Sequence, residues 1–166
     1  MTLKNLLSNY DIIFTDLDHT LIYGWFPDFS ATLYKMFPNK ALARFLAKVQ
    51  RKFNLYRVNT KAVYALKQYI HKKPIWVITA RDYSPDTIAV VYKVLGQVPV
   101  RCLGSNNAPV DKAKEIVSIT MCNGLKTPPY TSILLEDNMD TIRYINKNTS
   151  TLAIDVRPMY EDKFVG

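Results

Sequence analysis

The amino-acid sequence predicts an α/β fold in which helices cover both faces of a parallel β-sheet. Short apolar runs rich in β-branched and aromatic residues recur along the chain, and a helical pattern separates most runs from the next. Strands of parallel sheets are buried on both faces, so continuous apolar runs are typical of them. Polar residues that suit catalysis directly follow several of these runs. We therefore predict a doubly wound (Rossmann-like) parallel sheet.

Five segments have the pattern of a buried strand. The first, residues 11–15, reads Asp-Ile-Ile-Phe-Thr and leads directly into further acidic residues. Comparable runs occupy residues 74–79 and 131–135, and weaker ones occupy residues 98–103 and 151–154. In a parallel sheet, the carboxyl ends of these strands lie along one edge.

The segments between these runs carry helix signals. Ser84 suits an N-cap, Pro85 suits the first helical position, and Gly96 is placed to end that helix. Two further helices are predicted over residues 111–121 and 138–146. The resulting order of strands and helices supports the doubly wound sheet.

Residues 25–71 depart from this alternation, because they contain no convincing strand. Helices are predicted there over residues 41–53 and 60–71. An insertion after the first strand lies where a crossover connection would return, so we expect it to cover the carboxyl edge of the sheet. We therefore predict a core domain of residues 1–24 and 72–166, and a small helical cap formed by residues 25–71.

Composition favours a folded intracellular protein. The 166 residues are 48% hydrophobic and 22% charged, which is typical of a globular domain. The N-terminus lacks the features of a signal peptide, and no run reaches the ~18 apolar residues that a membrane span needs. We expect a cytoplasmic protein without membrane contact. Cys102 and Cys122 lack metal-type spacing, so both are expected to be reduced core residues.

The formal net charge of +8 bears on the choice of partner. A basic protein attracts phosphates, nucleic acids or acidic surfaces. The basic residues are dispersed among helical patterns, however, and form no block of five or six like charges. A solvated basic surface and nucleic-acid binding therefore remain equal alternatives.

Polar residues follow the predicted strands at the edge where ligands bind in open α/β sheets. Asp16 and Asp18 follow the first strand, Thr79 and Arg81 follow the second, and Asp137 with its acidic neighbours follows the fourth. Crowded carboxylates raise one another's pKa values unless a cation lies between them. Magnesium prefers oxygen ligands and is the cation that we expect here.

Lysines near the start of the predicted helix 111–121 fit the same site. A cation in the first turn opposes the helix dipole, at a cost of roughly 0.3–1 kcal/mol. Lys112 pointing at a bound phosphate would offset this cost, although Asp111 and Glu115 would do the same as surface partners. Lys114 is the alternative to Lys112.

Four of these segments resemble, in order, the four motifs of the haloacid dehalogenase superfamily. They are Asp-Leu-Asp-His-Thr-Leu at 16–21, Val-Ile-Thr at 77–79, Lys112, and Leu-Leu-Glu-Asp at 134–137. The resemblance spans residues 11–140, which is most of the chain. It implies a small phosphatase-type member, because phosphatases of this superfamily typically carry the second aspartate and dehalogenases lack it.

The resemblance implies a mechanism. Asp16 would attack phosphorus to form an aspartyl-phosphate, and Asp18 would protonate the leaving oxygen and then activate water. Thr79 and Lys112 would bind the phosphoryl oxygens. Magnesium would be held by Asp16, the Asp18 backbone carbonyl and Asp137.

Several assignments remain open at this stage. Many members of the superfamily have a glycine before the acidic residue of the last motif, so Glu136, Asp137 and Asp140 are all candidate metal ligands, with Asp137 favoured. Arg81 suits a substrate anion, with a surface salt bridge as an equal alternative. His19 is expected to be a neutral turn residue rather than a ligand.

Two other functions share parts of this pattern. A phospho-accepting receiver places its paired acids first and its phospho-acceptor on a middle strand, which disagrees with the order here. A catalytically inactive phosphate-binding or regulatory module of the same fold is the main alternative. The expected partner is a phosphorylated substrate, either a small molecule such as a nucleotide or the phosphorylated end of a nucleic acid.

Overall fold

The computed structural model describes residues 2–24, 56–105, 107–122 and 131–157. Five strands form one parallel sheet: β1 (Ile12–Thr15), β4 (Ile75–Thr79), β5 (Val100–Cys102), β6 (Ser132–Glu136) and β7 (Leu152–Asp155). Their order across the sheet is β5-β4-β1-β6-β7. All five predicted strands are thus confirmed, each shifted by at most a few residues.

The sheet reverses its winding direction next to β1. The chain passes from β1 outward to β4 and β5, then crosses to the other side of β1 to form β6 and β7. Ile13 pairs with Ile75 on one side and with Ile133 on the other. A ligand site in such a sheet lies beyond the carboxyl ends of the strands at this switch point.

Five helices accompany the strands in the described residues. They are α1 (Leu3–Leu7), α2 (Thr60–Lys67), α3 (Pro85–Leu95), α4 (Ala108–Cys122) and α5 (Met139–Asn148). One face of the sheet packs against α1, α2 and α3, and the opposite face packs against α4 and α5. The doubly wound arrangement predicted from the alternating pattern is therefore confirmed.

Helix starts follow the predicted capping chemistry. The Ser84 hydroxyl accepts the Thr87 amide N–H at 3.2 Å, and Pro85 occupies the first position of α3. Gly96 ends that helix with a φ of 92°, which glycine adopts without steric cost. At α5, the Asn138 side chain accepts the amide N–H groups of Asp140 and Thr141.

Part of the predicted cap belongs to the core, contrary to expectation. A short strand β3 (Tyr56–Val58) pairs antiparallel with β2 (Ile22–Gly24), so the prediction of no strand in residues 25–71 is wrong. Helix α2 buries four residues in the core cluster that also contains Leu7. Periodicity alone does not tell a cap helix from a core helix, because both have one apolar face. Residues 25–55, with the predicted helix 41–53, lie outside the described residues.

The cysteine prediction is half correct. Cys102 and Cys122 are free, as expected. Neither is a fully buried core residue: Cys102 is partly buried at the end of the edge strand β5, and Cys122 is exposed because it is the last residue of α4. Among the described residues, no helix has the length and apolar character needed to cross a membrane.

Candidate functional site

Three acidic side chains converge where β1 and β6 end. Asp16 directly follows β1, Glu136 is the last residue of β6, and Asp137 follows it. The Asp16 amide N–H donates to the Leu135 carbonyl at 2.9 Å, which extends the parallel pairing to the end of both strands. Strand pairing therefore fixes the carboxylates of two distant segments side by side.

Lys112 is the buried cation of this site. Its Nζ lies 2.7 Å from Asp16 Oδ1 and 2.6 Å from Glu136 Oε2, and only 4% of its side chain is exposed. The first turns of α4 carry it over the sheet edge. Lys114, two residues on, lies on the surface and pairs with Asp111 at 3.6 Å. Of the two candidate lysines, Lys112 is the one that reaches the acidic residues.

Glu136 is fully buried and has all its interactions within the protein. Its Oε2 accepts a hydrogen bond from Lys112, and its Oε1 accepts the backbone N–H groups of Asp137 and Asn138 at 3.1 and 3.2 Å. These contacts hold the turn that leads into α5. Glu136 therefore orients both the lysine and the neighbouring aspartate.

A divalent cation fits the three carboxylates. One oxygen from each of Asp16, Glu136 and Asp137 lies within 4.8 Å of the others. Carboxylate oxygens are the ligands that magnesium prefers. The Asp18 carboxylate is not part of this cluster and bonds Arg81 instead. The sequence prediction assigns only the backbone carbonyl of Asp18 to the metal. The exposed Asp140 pairs with Arg143 at 3.7 Å and lies outside the cluster.

The electrostatics of the cluster also favour a cation. Burial raises the pKa of the Asp16 carboxyl to about 8, and the nearby Glu136 adds to this, while Lys112 opposes it. Burial and Glu136 raise the pKa of Asp137 to about 6. The two carboxylates raise the pKa of the Lys112 ammonium despite its burial. A bound divalent cation would stabilise the ionised form of both aspartates, and so oppose the burial and the repulsion that raise their pKa values.

Asp18 forms a bidentate ion pair with Arg81. Arg81 Nε donates to Asp18 Oδ2 at 2.6 Å, and its Nη2 donates to Oδ1 at 2.5 Å. Burial lowers the pKa of Arg81, but the bonds to Asp18 outweigh it and leave the pKa raised. Both residues thus lie at the sheet edge as predicted, and they contact each other.

Thr79 ends β4 and is buried beside this pair. Its Oγ1 accepts the backbone N–H of Arg81 at 3.3 Å, and its carbonyl accepts the Leu103 N–H at 2.9 Å. The threonine hydroxyl therefore lies between the strand and the turn that carries Arg81.

The loop after β1 is held by a residue that the sequence did not single out. The Asn59 side-chain amide donates to the Thr20 carbonyl at 2.9 Å, and its Oδ1 accepts the Ala62 N–H at the start of α2. His19 in this loop has a φ of 55°, a left-handed conformation that non-glycine residues adopt rarely. Asn59 lies 39 residues from Thr20, so only its N-cap chemistry was visible in the sequence.

Thr20 also approaches the acidic cluster. Its hydroxyl lies 3.5 Å from Asp137 Oδ1, and the His19 side chain lowers the pKa of Asp137 electrostatically. The loop that follows β1 therefore contacts the turn that follows β6.

No protein-family model, curated protein or solved structure matches this chain.

Proposed function

We propose that this protein is a magnesium-dependent phosphohydrolase that uses Asp16 as its nucleophile. The observation that carries the proposal is the contact of Asp16 with the buried Lys112 beside Glu136 and Asp137 at the switch point of the sheet. A carboxylate fixed beside a cation and two further acids suits phosphoryl transfer, where the protein must neutralise charge and position the reactants. The resemblance of the four motifs supports the same assignment.

Each residue has a role in the proposed reaction. Asp16 attacks phosphorus, the bond to the leaving oxygen breaks, and Asp18 supplies the proton to that oxygen. Asp18 then takes a proton from the water that hydrolyses the aspartyl-phosphate. Lys112 and Thr79 stabilise the phosphoryl oxygens. Magnesium, when bound, would neutralise charge on the transferring group.

The metal ligands in this proposal are Asp16, Asp137 and the backbone carbonyl of Asp18. Glu136 belongs to the same acidic cluster, but two amide N–H groups and Lys112 already occupy its oxygens. We therefore assign Glu136 to orienting Lys112 and Asp137 rather than to binding the cation directly.

The substrate is proposed to be a phosphate monoester, either a small molecule such as a nucleotide or a phosphorylated nucleic-acid end. The net charge of +8 supports an anionic substrate. Hydrolysis rates on nucleotides, sugar phosphates and 3′-phosphorylated oligonucleotides would rank these classes.

One observation favours a second candidate, a phosphate-binding module without turnover. The carboxylate proposed as acid and base is held through both oxygens by Arg81. If this pair never opened, the Asp18 carboxylate would stay paired with Arg81 instead of turning to the leaving oxygen.

A steady-state assay separates the two candidates. With p-nitrophenyl phosphate, we expect turnover that requires magnesium and disappears in EDTA. Asp16→Asn is nearly isosteric and should lower kcat by at least about 10³-fold, because the anionic nucleophile is lost. Asp86→Asn, at an exposed acid in the first turn of α3, is the matched control and should leave the rate unchanged. A tenth of the wild-type rate in Asp16→Asn would reject the nucleophile assignment.

A further inference from the structure

In the ion pair between Asp18 and Arg81, the guanidinium group binds the carboxylate in the way that an arginine binds an anionic ligand. We propose that the Asp18 carboxylate occupies Arg81 in place of the substrate phosphate, and that an incoming phosphate monoester displaces it. The exchange frees Asp18 for proton transfer only when substrate is present. This inference rests on the proposed function, because it assigns Asp18 the role of acid and base.

The contact uses the binding mode by which arginine recognises anions. Nε and Nη2 of Arg81 each donate to a different oxygen of Asp18, at 2.6 and 2.5 Å. The planar guanidinium offers the same fork to carboxylate and to phosphate. A phosphate group can therefore replace the carboxylate without any change in the donor geometry.

The backbone of Arg81 is fixed, so the exchange needs only side-chain motion. Its N–H donates to Thr79 Oγ1 at 3.3 Å, and its carbonyl accepts the Gly104 N–H at 3.1 Å. Gly104 has a φ of 57°, and a Cβ there would lie 2.9 Å from Asp82 Oδ1. The close approach of these two turns thus holds Arg81 next to the end of β4.

Arg81 is also more accessible than Lys112. Its side chain is 23% exposed and that of Asp18 is 41% exposed, whereas Lys112 is 4% exposed and already bonds two carboxylates. An anion that approaches from solvent therefore meets Arg81 before Lys112. Displacing a carboxylate from Lys112 would leave that buried carboxylate without its cation, which costs more than displacing Asp18 from a partly exposed arginine.

The proposed chemistry requires the pair to open. A general acid or base must have an oxygen within hydrogen-bond reach of the reacting group, and the two bonds from Arg81 hold both Asp18 oxygens toward the guanidinium instead. The proposed nucleophile Asp16 follows β1 and Arg81 follows the neighbouring parallel strand β4, so both lie at the same edge of the sheet. A phosphate bound to Arg81 would therefore be near Asp16 at the moment when Asp18 is released.

A double-mutant cycle on phosphate binding tests the exchange without turnover. Inorganic phosphate is titrated calorimetrically, in magnesium, into the wild type, Asp18→Asn, Arg81→Gln and the double variant. If Asp18 competes with phosphate for Arg81, Asp18→Asn should tighten phosphate binding by roughly tenfold, and this gain should vanish in the Arg81→Gln background. Equal gains in both backgrounds would reflect only the removed negative charge and would overturn the proposal.

Arg81→Lys is a milder second variant that keeps the positive charge but loses the fork. We expect its phosphate Kd and its KM for p-nitrophenyl phosphate to rise about tenfold, with a smaller change in kcat. Arg101→Lys is the matched control, since Arg101 is exposed on the neighbouring strand β5 and pairs with Glu115. A lower kcat with unchanged KM and Kd would mean that Arg81 only positions Asp18, which contradicts the exchange.

The side-chain resonance of Arg81 gives a direct spectroscopic readout. In protein labelled with 15N and 13C, the Nε–H signal absent from Arg81→Lys identifies the residue. Saturating phosphate should shift this signal together with the Asp18 carboxyl carbon, whereas a pair that stays closed should leave both unshifted. If the wild type shows the exchange but no turnover, the phosphohydrolase function is rejected and the exchange proposal stands. If it shows turnover but no exchange, the exchange proposal is rejected and the phosphohydrolase function stands.

Discussion

Lys112 and Asp16 are 96 residues apart in the chain, yet Nζ of the lysine lies 2.7 Å from Oδ1 of the aspartate. The same ammonium group donates to Glu136, so one buried cation pairs with the carboxylates at the ends of both β1 and β6. A residue in this position serves both stability and chemistry. Its replacement should therefore affect the fold as well as activity.

We expect Lys112→Met to lower the free energy of unfolding by about 3–5 kcal/mol, because two buried carboxylates lose their cation. Urea denaturation in EDTA measures this directly. Lys114→Met is the matched control: its side chain is exposed and, within the described part of the chain, pairs with Asp111 at the surface, so the change should stay within about 0.5 kcal/mol. Equal effects of the two substitutions would contradict the buried pairing.

The pH dependence of stability follows from the raised pKa of Asp16. In the metal-free protein the folded-state pKa is about 8, above the ordinary 3.8, so the folded state binds the extra proton between these values. The stabilising contribution of Asp16 is therefore complete below pH 4 and is lost as the pH rises through 8. Unfolding free energies measured in EDTA from pH 5 to 8 should show this decline.

Two comparisons check the origin of that decline. Asp16→Asn removes the titrating group and should flatten the profile over the same pH range. Magnesium should oppose the decline, because it binds the ionised carboxylates, and its apparent affinity should rise with pH over the interval in which Asp137 and Asp16 lose their protons. A magnesium affinity independent of pH from 5 to 8 would be inconsistent with a site built on these two groups.

Metal binding should distinguish Asp137 from Asp140. Asp137→Asn removes a proposed ligand and should weaken magnesium binding by at least about tenfold. Loss of a residue that merely hydrogen-bonds a metal ligand already weakens binding by about that factor. Asp140→Asn is the control, since Asp140 is exposed on α5 and pairs with Arg143. Calorimetric titration of magnesium into both variants provides the test, and the reverse ranking would exchange the two assignments.

Lys73 stabilises the end of α1 away from the site. Its ammonium donates to the carbonyls of Leu7, Ser8 and Tyr10 at 3.2, 2.6 and 2.6 Å. Lys73→Met should lower the unfolding free energy by about 1–3 kcal/mol, because these carbonyls lose a charged donor. Lys72→Met, at the exposed neighbouring position, should change it little. Turnover per folded molecule should be unaffected by either substitution.

The role of residues 25–55 can be tested by replacing them with Asn-Gly. Gly24 pairs with Tyr56 across the antiparallel β2 and β3, so a two-residue turn can close this hairpin. We expect the variant to unfold cooperatively, to hydrolyse p-nitrophenyl phosphate, and to discriminate less among phosphate esters. A folded variant that binds magnesium but hydrolyses nothing would place catalytic groups in residues 25–55.

Removal of residues 25–71 should instead abolish folding. Helix α2 contributes Ala62, Val63, Ala65 and Leu66 to the core cluster, and their loss would expose the face of the sheet that they cover. Cooperative unfolding of this larger deletion would show that α2 is dispensable.

The strands of the sheet and the order of the acidic segments can be predicted from local patterns in the sequence. Apolar runs such as 75–78 are continuous because strands buried on both faces favour apolar residues, and Ser84 with Pro85 marks a helix start through local hydrogen bonding. These signals depend on neighbouring residues, so the chain displays them directly. Asp16 and Thr79 were identifiable because each lies at the carboxyl end of such a strand.

Which of the candidate side chains contact one another depends on the packing of the folded chain. Lys112 and Lys114 are both early in α4, and the rotation of the helix over the sheet directs the first to Asp16 and the second to solvent. The pairing of Asp18 with Arg81 and the bond from Asn59 to the Thr20 carbonyl join segments at least 39 residues apart. Such contacts arise from packing and strand register, which no local pattern in the sequence encodes.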